Sequence, residues 1–429
     1  MRITKHNVKP IINMTPNSSE MASSGQAATT GSLAGLKVLD LSRVLAGPLC
    51  SQMMADHGAE VIKLEAPAGD ETRLLGPPFD SDGVATYFGA VNRGKRDIAV
   101  DLSKHEGRAV LARLIEGCDV LIENFLPGAM DRWGLSYEKV LSARYPRLVY
   151  CQITGFGTDG PLGGLPGYDA ILQAIGGIMS INGTVESGAT RLGIPIVDHV
   201  TAYTALTGIL MALHARGVTG RGQKVEATLF DTALSLLVPH TASWLASGRT
   251  PKLLGSAHPN IAPYDKFSAA DGEIFLGILT DGQFKKFTAF IGRPELSGDP
   301  RFATNAVRVR HRALLRSEIE NALVRHKRDP LCRSLMQLGV PAGPVNTVPE
   351  ALSQPHALHR KMIVERSAYR GLGPSVQLSA TPPQVRTGPP QFAGDTAEIL
   401  REIGYTAEQI EALCTAGAIV AHSPGGKAT

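Results

Sequence analysis

At 429 residues, with 43% hydrophobic and 19% charged residues, the chain has the makeup of a globular protein large enough for two or three folding units. A formal net charge of +4 suits an anionic small ligand and is too weak to imply a nucleic-acid partner. No unbroken apolar run of about 18 residues is present, so a membrane-spanning segment is not expected.

Residues 1–33 are polar, rich in Ser, Thr and Gly, and aperiodic, so they read as a disordered extension. Arg2, Lys5 and Lys9 leave a targeting segment open, and a translation start at Met14 or Met21 is an equal alternative. From Leu36 the text becomes regular. KVLDL (37–41) predicts a strand, GPLCSQMMADHG (47–58) a helix and AEVIKLE (59–65) the next strand. DIAVDL (97–102), DVLIENF (119–125) and RLVYCQITG (147–155) continue the strands, with helices over 105–117 and from Gly128 between them. Helices over 169–180 and 199–217, the turn TGRGQ and the segment 224–237 follow. This alternation predicts an α/β fold, a Rossmann-like doubly wound parallel sheet with its ligand at the carboxyl ends of the strands.

The large domain is assigned to 34–235, completed by 360–420. A linker (236–255), a smaller α/β domain (256–350), a return linker region (351–392) and a flexible tail (421–429) make up the rest. The smaller domain carries the strand EIFLGIL (273–279), and a closing amphipathic helix pair begins at Thr396 and Thr406. Cys50, Cys118, Cys151, Cys332 and Cys414 form no CxxC pair, the pattern of reduced thiols in a cytoplasmic protein.

Two phosphate-loop look-alikes fail on their chemistry. GAVNRGKR (89–96) has Walker A spacing, yet Arg96 stands where Ser or Thr must hold magnesium. GFGTDG (155–160) follows a strand, but Pro161 and further glycines follow, so no helix begins there to receive a pyrophosphate. His356 and His359 lack Cys or acidic partners at ligand spacing, so no metal is expected. RVRHRALLR reads as a solvated helix face, and no GxSxG elbow supports a hydrolase. What remains is a set of turns after strands, DLSRVLAGP, ENFLPGAMDR and GFGTDGP, which a parallel sheet gathers at one edge. They bring cations (Arg43, Arg132), an amide (Asn124) and an apolar surface (Phe125), which suits a ligand with phosphates and an adenine. Asp198, after the apolar-looking run Ile194–Val197, is either a helix N-cap or a nucleophile steadied by oriented donors.

LKVLDLSRVLAGPLCSQMMADHGAEVIKLEAP, NRGKRDIAVDL, CDVLIENFLPGAMDRWGL, YCQITGFGTDGP, GYDAILQAIGG and TGRGQKVEATLFD together resemble the family III CoA-transferases, the CaiB/BaiF or formyl-CoA transferase group, from Gly35 to about residue 400. The resemblance implies coenzyme A as co-substrate and Asp198 of GIPIVDH as the covalent carrier, with Asp169 at a structural position. It places CoA contacts on Arg43, Val44, Leu45, Ala46, Asp101, Leu102, Ser103, Asn124, Phe125, Arg132 and Tyr168. It also implies a homodimer of two interlocked rings and a covering loop, GSAHPNIAPY, with His258 and Asn260. Ala66 in KLEAP departs from members that carry a basic residue there near the adenine. The text around GSAHPNIAPYDKF looks most like the succinyl-CoA:glutarate branch, implying dicarboxylates, with Arg191 a candidate for the distal carboxylate. The alternatives are an α-methylacyl-CoA racemase, whose GHD triplet is here Gly167-Tyr168-Asp169, and a CoA-binding protein without activity. In the transferase reading Asp198 keeps an ordinary carboxylate pKa of about 4, attacks without a general base and caps its own helix.

Overall fold

The computed structural model describes residues 31–421; the polar stretch 1–30 and the tail 422–429 lie outside them. Short apolar runs ended by turns form β1 (Lys37–Asp40), β2 (Glu60–Glu65), β3 (Arg96–Val100), β4 (Val120–Glu123) and β5 (Val149–Thr154). A small hairpin, β6 (Gly183–Thr184) and β7 (Gly188–Ala189), precedes β8 (Lys224–Thr228). The smaller domain contributes β9 (Tyr264–Ala269), β10 (Gly272–Gly277) and β11 (Ala342–Pro344). A second hairpin, β12 (Ile363–Arg366) and β13 (Tyr369–Leu372), and a last strand, β14 (Ile419–Val420), complete the set.

The main sheet runs β14-β3-β2-β1-β4-β5-β8. All its pairings are parallel except β14 on β3. Setting aside that antiparallel edge, this is the doubly wound order, and it reverses direction between β1 and β4. Successive residues of a strand face opposite sides. Val38 therefore joins Cys50, Met54 and Ile209 on one face, and Leu39 joins Ile98, Leu111 and Leu121 on the other. Burial on both faces is why these strands carry apolar residues at successive positions, as in Val38-Leu39, Ile98-Ala99-Val100 and Val120-Leu121-Ile122, while polar residues within them such as Lys63 and Asp97 sit in buried ion pairs.

The helix Ile196–Thr219 lies across the first face. Val197, Thr201, Ala202, Ala205, Ile209 and Ala212 are buried along one stripe, and a methyl group on Gly208 would come 2.5 Å from Val225 Cγ1. Small residues on this stripe allow the close approach. Contrary to the sequence reading, this helix is long and apolar enough for a membrane span by length and composition. Its inner stripe is instead used as core, while Tyr203, Leu210 and Met211 on the outer side remain exposed.

The third core, around Phe267, Ile274, Phe284, Phe287 and Phe302, belongs to the smaller domain with its antiparallel β11-β10-β9 sheet. The stretch 236–255 contains a helix, His240–Ser247, and the stretch 351–392 contains the β12–β13 hairpin. Leu33, from the end of the polar N-terminal stretch, is held by its N–H on the His57 carbonyl (2.9 Å) and packs on the first core.

Candidate active site

The loops that follow β1 and β4 meet where the strand order reverses, and they are sewn together. The Arg43 N–H donates to Asn124 Oδ1 (2.9 Å), and Asn124 Nδ2 returns a bond to the Arg43 carbonyl (2.8 Å). This crevice is where a doubly wound sheet takes its ligand. Arg43 is exposed, 4.0 Å from Glu71. Arg132 is exposed on the next turn, with no ion pair among the described residues. Phe125 packs edge-on to Trp133, with ring centroids 5.0 Å apart. Val44 adopts φ 70°, a strained value for a β-branched residue and a feature that concentrates at functional sites.

Leu45, Ala46 and Leu102 are buried among the core side chains, so these three offer a ligand chiefly backbone groups. Asp101 is spent on its own turn, accepting from the Ser103 N–H (2.9 Å) and hydroxyl (2.6 Å). Tyr168 is 66% exposed.

The crevice stands on buried ion pairs. Asp40, at the end of β1, accepts from Ser51 Oγ (2.5 Å), the Ser42 hydroxyl and Lys95 Nζ (2.9 Å). Burial alone would raise this carboxyl, but Lys95 and Lys63 outweigh it and hold Asp40 at about 2. Lys63 ties the Ser42 carbonyl (2.8 Å) to Asp70 (3.0 Å). Lys95 is the lysine of the Walker-like NRGKR. It is fully buried and fixes the loop after β1, so it is unavailable to a phosphate. Glu123, also buried, accepts from Tyr150 Oη (2.8 Å), Gln152 Nε2 (2.8 Å) and the Phe125 N–H (2.7 Å), which sets the turn carrying Asn124.

Asp198 sits in the first turn of the Ile196–Thr219 helix, and it does not cap it. The capping carboxylate comes from another helix. Asp169 Oδ2 accepts from the N–H of Val197 (2.8 Å) and of Asp198 (3.2 Å). Its other oxygen accepts from Gln173 Nε2 (2.6 Å). Gln173 is fully buried; it also reaches the Ile194 carbonyl (3.3 Å) and receives the Leu192 N–H (2.8 Å). Among the described residues no donor pairs with the Asp198 carboxylate. Burial, reinforced by the Asp169 charge, pushes Asp198 up to about 7, which corrects the expectation of an ordinary carboxylate. The run before it is also less buried than its sequence suggests. Ile194 is 57% exposed and Val197 alone of Ile194–Val197 is buried.

Tyr87, on the helix Thr86–Asn92, lies within electrostatic reach of the same carboxylates. Burial, with Asp198 and Asp169 adding to it, pushes this phenol up to about 12, so it stays a hydrogen-bond donor. The sequence reading missed it, because nothing in ATYFGA separates a site tyrosine from a core one. The same reading assigned Asp169 a structural position but did not identify it as the cap, since its partners lie 28 and 29 residues away.

The remaining candidates lie further out. Arg191 is exposed and its guanidinium rests on the adjoining Leu192 carbonyl (3.0 Å). The 255–264 loop is pinned at both ends. The Gly255 N–H donates to Gly183 (2.8 Å), Arg312 donates to the His258 carbonyl (2.6 Å), and Asn305 Nδ2 donates to the Asn260 carbonyl (2.9 Å). His258 Nδ1 accepts from the Asn260 N–H (3.1 Å), so the two residues form one rigid turn. A cavity of about 2050 Å³ runs beside the long helix, lined by residues that include Tyr87, His199, Tyr203, Leu210, Leu372 and Val376. Arg43, Asn124 and Arg132 belong to the sheet-edge crevice and not to these walls. Among the described residues no cluster of His, Cys, Asp and Glu is arranged for a metal.

The doubly wound sheet carries Arg43, Asn124 and Arg132 in the loops at its switch point, and the helix Ile196–Thr219 opens with a carboxylate that has no donor partner among the described residues. The model of the family "CoA-transferase family III" matches residues 33–396, and the chain belongs to that family. An acyl-CoA transferase of Fusarium pseudograminearum (strain CS3096) is 39% identical over 93% of this chain and 91% of its own. The succinate–glutarate CoA-transferase of Agrobacterium fabrum is 38% identical over 86% and 95%. Among solved structures, a CaiB/BaiF family protein from Brucella suis superposes with a TM-score of 0.80 at 42% identity, covering 87% of this chain and all of that one. The chain is therefore a family III CoA-transferase with acyl-CoA as its co-substrate.

Proposed function

We propose that this enzyme moves CoA from a dicarboxylyl-CoA such as succinyl-CoA to a dicarboxylate such as glutarate, through covalent intermediates on Asp198. The observation that carries the reading is Asp198 itself. It is a partly buried carboxylate with no donor partner among the described residues, on a helix whose Val197 and Asp198 amides are already satisfied by Asp169. A carboxylate that caps nothing is free to react.

In its ionised form Asp198 attacks the acyl-CoA carbonyl. The C–S bond breaks, leaving an aspartyl–acyl anhydride and CoA thiolate. The thiolate then attacks the aspartyl carbonyl, giving an aspartyl-CoA thioester and releasing the first acid. The incoming carboxylate reverses both steps. This splits one difficult exchange into easier ones and conserves the thioester, so no nucleotide is consumed. A proton affinity near 7 makes Asp198 a stronger nucleophile than an ordinary carboxylate, while keeping a sizeable ionised fraction at neutral pH. The Tyr87 phenol, within electrostatic reach of both carboxylates, stays protonated at neutral pH.

Arg43, Asn124, Phe125 and Arg132 are assigned to CoA, and Arg191 to the far carboxylate of the acid. The dicarboxylate assignment draws on the succinate–glutarate transferase among the relatives. The racemase alternative needs two bases, and here Tyr168 points to solvent while Asp169 is spent as a cap. The exposed Tyr203, Leu210 and Met211 and the large cavity beside them are assigned to a second copy of the chain in an interlocked dimer. Incubation with succinyl-CoA and a panel of free acids, followed by mass analysis of the acyl-CoA products, tests the substrate assignment. Glutarate or another dicarboxylate should dominate; preference for formate or another monocarboxylate would overturn it.

A further inference from the structure

Asp169 accepts the backbone N–H of Asp198 (3.2 Å) and its charge opposes ionisation of the Asp198 carboxyl, and such a pair does not ionise both members freely. Which one keeps the proton decides whether the nucleophile is silent or active. The hydrogen bonds of Gln173 converge on this pair.

The Gln173 amide has one permitted orientation. Its oxygen must face the Leu192 N–H, which is a donor, and its nitrogen must face the Ile194 carbonyl, which is an acceptor. The second N–H then points at Asp169 Oδ1, 2.6 Å away. The other Asp169 oxygen receives two backbone N–H groups. Asp169 is thus met by three donors and no acceptor, an arrangement that only the ionised carboxylate satisfies fully. Asp198 has no such donors among the described residues. Among the described residues, the ionisable groups within electrostatic reach of it are Asp169 and the Tyr87 phenol. His199, the next residue on the same helix, faces Asp169 and is held toward its neutral form by burial.

We propose that Gln173 is a positioning residue that keeps Asp169 as the ionised cap, so that Asp198 is the carboxyl that takes up and releases the proton. The assignment rests on the reading of Asp198 as nucleophile. It explains why a fully buried polar side chain spends all of its hydrogen bonds around one turn.

The test is a pH profile of kcat/KM for succinyl-CoA with glutarate in the full-length protein. Gln173→Met, of similar volume, removes all three bonds and lets Asp169 compete for the proton. The nucleophile is then ionised at lower pH, so the acid limb should move down by roughly half to one unit. Loss of the ties to Leu192 and Ile194 also loosens the turn that places Asp198, so in the same variant kcat should fall about tenfold or more, with the KM for succinyl-CoA changed less than about threefold. A uniform loss with an unmoved limb, or a change confined to KM, overturns the proposal. Should that variant fail to fold, infrared titration of the wild-type protein decides. A protonated-carboxyl band that titrates near neutrality and is missing in Asp198→Asn supports the proposal, and a band that persists there overturns it. Trapping of the acyl adduct on wild-type protein separates the two claims. An adduct on Asp198 with an unmoved limb defeats the role of Gln173 alone, whereas an adduct elsewhere defeats the nucleophile assignment.

Discussion

Asp198→Asn should make the protein more stable while abolishing transfer. The wild-type carboxyl is shifted from 3.8 to about 7 by burial and by Asp169. At 1.36 kcal/mol per unit that represents about 4 kcal/mol of penalty on the ionised form. This is a ceiling, because the side chain is only partly buried and the first turn of a helix returns roughly 0.3–1 kcal/mol to an anion. A gain of about 2 kcal/mol at about pH 8 is the working figure. The pH dependence carries the sharper test. The folded-state value lies above the unfolded one, so the folded protein holds the proton more tightly between about pH 4 and 7. Wild-type stability is therefore lost as pH rises through that window and levels off above it, whereas the amide has nothing to titrate. Urea denaturation of both proteins from about pH 4 to 8.5 should show an advantage of the variant that is near zero at the acid end and largest above neutrality. A variant that is less stable at about pH 8, or an advantage independent of pH, would refute the electrostatic account of this site.

Asp169→Ala removes the cap and orphans the Val197 and Asp198 amides and the Gln173 donor. It should cost about 1–3 kcal/mol of stability, read by thermal denaturation, and shift the acid limb of any residual activity downward. Asn124→Ala cuts both bonds to the Arg43 backbone. Steady-state kinetics should show the KM for acyl-CoA raised about tenfold with kcat within about threefold. Arg191→Met should raise the KM of a dicarboxylate acceptor by about tenfold and leave a monocarboxylate acceptor unaffected. Equal effects on both acids would remove Arg191 from the site.

The sheet is legible because its strands are buried on both faces and because glycine-rich turns separate them. Val38-Leu39 and Ile98-Ala99-Val100 admit few other readings. The antiparallel edge is not legible, since β14 is two residues long and its place on β3 is a long-range pairing. Candidate residues in loops after strands were recoverable, because a parallel sheet gathers those loops at one end. Burial was not. Leu45, Ala46 and Leu102 stand in the same loops as Arg43 and Ser103 yet face the core.

The hardest case was Asp198. Its place before a helix was plain from GIPIVDH, but its chemistry depends on Asp169 and Gln173, which approach from a separate helix. A local reading therefore assigned Asp198 the capping role and an ordinary pKa, and the structure gives the first to Asp169 and corrects the second. Lys95 makes the converse point. A phosphate-loop pattern turned out to be a buried counter-ion for Asp40.

The most direct measurement is to mix the protein with succinyl-CoA alone, quench with hydroxylamine and map the modified peptide by mass spectrometry. Anhydride and thioester both yield a hydroxamate, so the account predicts that label on Asp198 within RLGIPIVDHVTAY. A label on Asp169, or turnover by Asp198→Ala above about a thousandth of the wild-type rate, a barrier change of about 4 kcal/mol, would contradict it.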